Sequence, residues 1–508
     1  MKKNNLILIA GLILLGSSCS KDFLSVNEVN PNSPSVVAAK LVLPATLKEV
    51  ALTMNTPRRF EFVYLWHGLW SVSAGYSQPQ SLVQYKLLNS SYQNAFIEFY
   101  ITGNNLDAIE KATTNPKDVY YVATAKIIKA YIFQNLVDCW GDVPYNEAFQ
   151  TLTGNLKPKY DKQQDIYEDL VVQLDAAMAA IQAAPADANA ILANSDIMYG
   201  GDMSLWLKFA NTLKLRILVH QADMTGRTAY ITTAIGTTAS IGYIGAGESA
   251  LVNPGYLVSQ GKMNPFYETF YNSAATSQSD GVTYYFAGKD VVDYYKATFD
   301  PRLGKFFNTY DGTNYEGNYF GQLPGDLTPQ AKTSKLGYVA GDAGTMIGTP
   351  DKSAPLLTDF ESLFIQAEAA QRSLIAGDPK SLYESAVTQS FIYMGLSGSA
   401  AAGFLSLETG ANYSLVTDKL EVILNQKWAA LNGIAPVEIW TDFRRTGYPT
   451  FLTFSVDPAL NQNSPGTPPV RLLYPQDEVN VNNANYVAAQ EAQGWQDEFK
   501  TKIFWQNR

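Results

Sequence analysis

The residues of this chain that could do covalent or acid–base chemistry are few. There are two histidines, His67 and His220, and two cysteines, Cys19 and Cys139. No H-E-x-x-H, C-x-x-C or G-x-S-x-G run occurs, so the commonest zinc and serine-hydrolase arrangements have nothing to form from. His220 falls in a helical pattern beside Val219 and reads as structural. Glycoside hydrolysis needs two carboxyls at a set separation; 47 acidic residues guarantee pairs, but sequence supplies no distance. Gly245-Ala246-Gly247-Glu248-Ser249-Ala250 fits a dinucleotide fingerprint by letters. Pro254 follows too soon for the helix whose N-terminus would hold a pyrophosphate. Asp311, Asn314, Glu316 and Asn318 offer oxygen ligands at a spacing that is not an EF-hand. The expectation is a protein with no catalytic residue, no cofactor and no metal.

Aromatic side chains are the better clue, with 31 tyrosines and 8 tryptophans, several of them in polar loops. One face of a sugar ring is a patch of C–H bonds that packs on a flat aromatic, while its hydroxyls need amide, carboxylate or backbone partners around the rim. Such a platform binds a neutral ligand without catalysis, gaining roughly a kcal/mol per contact if aromatic-pair values transfer. The run from Phe62 to Gln78 combines these parts in Trp66, Trp70 and Tyr76. Trp66 and Trp70 lie at helical spacing with Tyr64 and fit a core equally well; Tyr76 sits among Gly, Ser and Gln. Further candidates are Tyr267 and Tyr271, and Tyr284 and Tyr285 after Asp280-Gly281. Each of these loop tyrosines fits a surface-sealing role as well as a ligand contact.

The N-terminus says where such a binder would work. Lys2 and Lys3 precede the apolar or small residues Leu6 to Leu15, then Gly16-Ser17-Ser18 leads to Cys19. The apolar run is shorter than the roughly 20 residues a membrane span requires and reads as a signal peptide, residues 1–18. A cysteine at the cleavage point resembles a bacterial lipobox, in which its thiol is diacylated, although Gly16 stands where an apolar residue is usual. Lys2 and Lys3 leave with the leader and no acid does, so the net charge of −10 becomes −12. An acidic chain without a basic run repels phosphate backbones, so nucleic acid is not an expected partner. With Cys19 lipidated, Cys139 has no intramolecular partner, and a large apolar core must replace any disulfide framework.

The elements that must position the aromatics are helices. Stripes at 3.6-residue spacing run through Ala123, Ile127, Ala130, Tyr131 and Val137, through Ile166, Leu170, Leu174, Ala177, Met178 and Ile181, and through Leu205, Phe209, Leu213 and Ile217. Others run from Phe360 to Leu374, from Leu382 to Tyr393 and from Leu420 to Leu431. Gly377-Asp378-Pro379 ends one helix and starts the next, giving a hairpin with alanines on the facing sides. This is the logic of tetratricopeptide-like hairpins, with no clean 34-residue period. Residues 225–355, and similarly 55–95 and 450–490, are rich in Gly, Asn, Thr, Ser and Tyr and read as long functional loops.

Several motifs carry a resemblance along the chain: Cys19 to Asn27 followed by Asn30-Pro31-Asn32, Asn135 to Ala148 with Gly141-Asp142-Val143-Pro144, Trp206 to Arg216, Phe299 to Leu303, Phe364 to Ala370, Trp440 to Pro449, and Arg471 to Pro475. Together they resemble the SusD/RagB family, in particular its SusD-like lipoprotein branch. The resemblance implies an all-α fold, a helical scaffold of degenerate tetratricopeptide-like hairpins with loop-rich insertions over 35–508, joined through a lipidated tether, 19–34, to the outer membrane. It also implies a cell-surface, non-enzymatic protein of a Bacteroidota-type bacterium that captures a nutrient, usually a glycan, and delivers it to a SusC-like TonB-dependent transporter. Asp22, soon after the cysteine, resembles the surface-export signal of such lipoproteins. An interaction lid without its own glycan site and a peptide binder are the alternatives. Gly141 to Pro144 reads as a structural turn in which Asp142 bonds amides. Trp440, Asp442, Arg444, Arg445 and Tyr448 read as a fold-fixing set.

Overall fold

The computed structural model describes residues 38–276, 281–460 and 466–506. The expected leader 1–18, Cys19, the tether 19–34 and the boundary at residue 35 lie outside these residues. The scaffold is helical. Its principal elements are α1 (Ala39–Asn55), α2 (Gln93–Ala112), α3 (Val119–Trp140), α4 (Gln163–Gln182), α5 (Met203–His220), α6 (Asp359–Gln371), α7 (Pro379–Tyr393), α8 (Lys419–Ala430) and α9 (Pro436–Thr446). Consecutive helices pack as hairpins, α2 on α3, α3 on α4, α4 on α5 and α6 on α7, which is the tetratricopeptide-like arrangement.

Short polar side chains set the helix starts, each accepting from amides that have no partner within the helix. Asp202 accepts from Ser204 and Leu205 at the head of α5, and Thr358 from Glu361 at the head of α6. Asp378 accepts from Ser381 and starts α7 where the Gly-Asp-Pro signal places it. The α4 stripe from Ile166 to Ile181 is buried as its spacing predicts. In α3 the stripe is only part of the story, because almost every side chain from Tyr121 to Trp140 is buried. Helices α1, α2, α4, α5 and α9 surround it, and a helix enclosed on several sides carries no polar face.

Gly141 ends α3 at φ +80°, and a Cβ there would stand 2.9 Å from the Arg471 guanidinium, so glycine is required twice over. Asp142 Oδ1 accepts from the Gln163 amide at 3.0 Å and so holds the first residue of α4. Strands occur among the described residues only as antiparallel pairs: β1 (Trp70–Val72) with β5 (Tyr285–Ala287), β2 (Val143–Pro144) with β3 (Tyr160–Asp161), and β4 (Ala250–Val252) with β6 (Ala354–Leu357). The first pair sets Trp70 opposite Ala287 and Val72 opposite Tyr285.

Buried charge locks the helices together. Arg445 of α9 reaches both oxygens of Glu368 on α6 and also Asp442 one turn earlier. Lys427 of α8 bonds Glu438 and lies 2.9 Å from Asp442. Arg216 of α5 meets Glu361 of α6 at 2.9 Å. Sequence reading places Asp442, Arg444 and Arg445 in one fold-fixing set; Arg445 does bond Asp442, but its two-pronged partner is Glu368, on a distant helix.

Removing one member strands the others in an apolar interior, so Glu368→Gln and Arg445→Leu should each cost about 3–5 kcal/mol, read as a lower midpoint in denaturant unfolding. Burial raises the Glu368 carboxyl, but Arg445 and then Arg372 outweigh it and hold its pKa at about 2. A carboxyl depressed on folding adds stability above its ordinary value of 4.5, and that stability is lost as pH falls toward 2. Glu368→Gln should lack this part of the acid limb; an unchanged acid titration would contradict the assignment.

Candidate functional site

The aromatic candidates separate by burial. Trp66, Trp70 and Tyr285 have no exposed surface and Tyr267 is 2% exposed, so the expectation of ligand contact at these four is corrected: they are core side chains. Trp66 packs edge-on against Phe62 and donates to the Leu82 carbonyl. Trp70 stacks on Tyr64 at 4.2 Å and donates to Asn432 Oδ1 at 2.9 Å. Tyr285 meets Trp70 and Phe270 and donates its hydroxyl to Glu61. The helical spacing of Tyr64, Trp66 and Trp70 is thus a core signal.

Tyr76, Tyr271 and Tyr284 remain partly exposed, each packed against this core. Tyr76 meets Tyr284 edge to face at 5.3 Å, and its hydroxyl lies 2.7 Å from Thr283 Oγ1. Tyr284 stands at right angles to the buried Tyr285 at 4.8 Å. Tyr271 stacks on Tyr338, centroids 4.0 Å apart, with Tyr267 beneath the pair at 5.7 and 6.0 Å. The sequence reading did not single out Tyr338. It has the surroundings that drew attention to Tyr76, a glycine-bearing polar loop, but its stacking partner lies far away in the chain.

Local structure explains how Tyr76 meets Tyr284 and how Tyr271 meets Tyr338. Asn264 caps a short helix, Pro265–Phe270, that buries Phe266 and Phe270 and leaves Tyr271 just past its end. Strand β5 follows Tyr284 directly, and its Phe286 bridges to Lys335, which brings in the segment that carries Tyr338. Gly75 lies next to the Gln330 side chain, an ideal Cβ standing 3.2 Å from Oε1, so an amide borders the Tyr76 loop. Burial raises the Tyr271 phenol to about 12, and Tyr338 adds to the shift; the ring is therefore neutral near pH 7.

Two other groups of candidates are occupied by the fold. Asp311 accepts from the Thr313 and Asn314 amides, Glu316 meets Lys289, and Asn318 accepts from Thr328, so these oxygens do not converge. Among the described residues no cluster of three or more His, Cys, Asp or Glu is placed to hold a metal ion. Gly247 and Ser249 bond Asp359 at the start of α6, and the glycine run over 245–250 serves as a connector. Cys139 is buried and reduced, and no helix among the described residues is long and apolar enough to cross a membrane.

This helical scaffold has known counterparts. Residues 31–475 match the SusD-like family model described as starch-binding and associating with the outer membrane, and the chain belongs to that family. A SusD-like protein from Bacteroides thetaiotaomicron is 25% identical with a TM-score of 0.73, covering 92% of this chain and 99% of its own. A SusD homolog from Bacteroides uniformis is 22% identical over 92% and 99%, also at 0.73. A chitin-binding SusD homolog from Flavobacterium johnsoniae is 21% identical over 91% and 98%, again at 0.73. No curated protein sequence matches this chain. Proteins of this family bind carbohydrate and are not catalytic, so the chain is a carbohydrate-binding protein of this class and not an enzyme.

Trp70→Ala should act on the fold and not on any ligand, costing about 3–5 kcal/mol through the cavity it leaves. Thermal and denaturant unfolding would register that loss. A variant of unchanged stability would return Trp70 to the candidate surface.

Proposed function

We propose that this protein captures an oligosaccharide at the cell surface on a tyrosine platform formed by Tyr76, Tyr271 and Tyr284 together with Tyr338, and delivers it to a SusC-like TonB-dependent transporter. The observation that carries the reading is the half-exposed Tyr271–Tyr338 stack braced from below by Tyr267. Two rings held by a buried third keep their faces without further ordering, so little side-chain entropy is lost when a sugar packs on them. Phenol hydroxyls, Thr283 and the Gln330 amide supply hydrogen-bonding groups for a polyhydroxylated ligand. Relatives described as chitin-binding make β-linked N-acetylglucosamine oligomers a first ligand to try, beside starch fragments.

A glycan and peptide array, followed by titration calorimetry on the best hit, tests the platform. Tyr271→Ala and Tyr338→Ala should each weaken binding about three- to ten-fold. The Tyr271 phenol, raised to about 12 by burial, stays neutral, so affinity for a neutral glycan should be flat from about pH 5 to 8. Preferential binding of peptides, or wild-type affinity in both variants, would refute the reading.

The delivery step rests on the anchor. A lipid at Cys19 would hold the body on the outer membrane beside its transporter, where two tethered proteins meet at high effective concentration and a modest contact surface suffices. Cys19→Ala should release a folded protein from the membrane fraction. Mild extraction after cross-linking on intact cells should recover the wild-type protein with a TonB-dependent transporter; recovery only as a free monomer would leave a stand-alone binder.

A further inference from the structure

A second cavity, of about 460 Å³, opens between α9 and the C-terminal segment, and none of its lining residues belongs to the tyrosine platform. The volume falls within the range of small-molecule sites, and the walls are mainly rings: Trp440, Phe443, Phe454 and Phe499. Three buried polar side chains line it, His67, Arg444 and Gln506, and the first two have unmet needs.

The first is His67, which is fully buried. Its Nδ1 lies 2.9 Å from the Val63 carbonyl, which only accepts, so Nδ1 carries the proton. Nε2 is then a bare lone pair, and it has no hydrogen-bond partner among the described residues. Burial, opposed in part by the Val63 bond, lowers the imidazole pKa to about 4, so the ring is neutral and Nε2 accepts at physiological pH. A buried acceptor left bare keeps the cost of its lost water, which a donor would relieve.

The second is Arg444, 3% exposed and sandwiched between Trp440 and Trp505 at 3.7 and 4.9 Å. Its guanidinium donates to the Trp440 and Val470 carbonyls and to Thr441 Oγ1, all neutral groups. Its neighbour Arg445 has two carboxylates, whereas Arg444 forms no ion pair among the described residues. Asp138, the carboxyl that influences it electrostatically, is engaged by Tyr167, Trp505 and His220. Burial lowers the Arg444 pKa to about 10, the mark of a cation short of compensation. Lys502 at the rim adds a second positive charge.

A cation without an anion and an acceptor without a donor, in one ring-lined cavity, specify a complement. We propose that this cavity is a second ligand site, one that takes a small organic anion whose flat apolar body fills the ring-lined space, whose acid group meets Arg444 and Lys502, and whose hydroxyl or N–H donates to His67 Nε2. Such a ligand differs in charge from a neutral oligosaccharide, so the site serves a separate purpose from the platform.

The probe is 6-hydroxy-2-naphthoate, which has the acid, the donor and the flat body; 2-naphthoate lacks the donor and 2-naphthol lacks the acid. Calorimetric titration of the full lipidated chain in detergent should give one site per chain for the hydroxynaphthoate. Binding should be about three- to ten-fold weaker for 2-naphthoate and at least about ten-fold weaker for 2-naphthol. His67→Phe should abolish the preference for the hydroxyl while keeping the preference for the acid. Leu452→Trp, which enlarges a half-buried lining residue and keeps both polar groups, should remove saturable binding and leave glycan affinity unchanged; it also keeps the test decisive if His67→Phe does not fold. No saturable binding of 6-hydroxy-2-naphthoate at about 1 mM would overturn the proposal. Binding that survives Leu452→Trp, or that ignores acid and hydroxyl alike, would overturn it equally.

Discussion

The ionic pairing of Arg445 with Glu368 is the contact on which the rest of the molecule is hung. Both side chains are buried, and neither tolerates the interior without the other. Their pairing fixes α9 on α6, and Lys427 carries the same constraint into α8 through Glu438 and Asp442. Apolar packing alone permits small rotations of one helix on another. A forked guanidinium–carboxylate contact does not, because its two hydrogen bonds need one mutual orientation.

From α8 the constraint passes to the loop face. Trp428 donates to the His67 carbonyl, and Asn432, two residues past the end of α8, accepts from Trp70. The segment carrying β1 is therefore seated by the charged core. Strand β1 holds β5, β5 presents Tyr284, and its bridge to Lys335 brings in the chain that ends at Tyr338. Tyr284, with Tyr76 against it, thus rests on an aromatic foundation of Tyr285, Trp70 and Phe270, itself tied to the helices by hydrogen bonds, while the Tyr271–Tyr338 pair rests on Tyr267. This gives a division of labour among aromatics that composition shows only as abundance: the buried rings supply rigidity, and the half-buried ones keep a face for solvent or ligand.

The motifs shared with the SusD-like family mostly serve this framework. Gly141 admits the Arg471 guanidinium, Asp142 holds the first residue of α4, and Arg302, fully buried, joins Asp300 to Ser390 of α7 and Gln426 of α8. None of these contacts requires a ligand. Relatives little more than one-fifth identical keep the fold, so the framework tolerates wide change in sequence.

By itself, the sequence determined the helical class, the hairpin turn at Gly377-Asp378-Pro379, the cap residues and the buried stripe of α4. These depend on neighbours a few residues apart, where periodicity and local hydrogen bonding act. Tertiary structure alone decided which aromatics are covered. Trp70 and Tyr76 lie in one loop-rich stretch and look alike as letters, yet one is stacked on Tyr64 and the other is half open, because Asn432 and β5, from distant parts of the chain, close over Trp70 only. Tyr338 was not singled out, and Glu368 was legible only as a letter of the Phe364–Ala370 motif, for the corresponding reason. Their significance lies in partners that folding brings from far along the chain, and exposure, stacking and ion pairing are properties of that meeting.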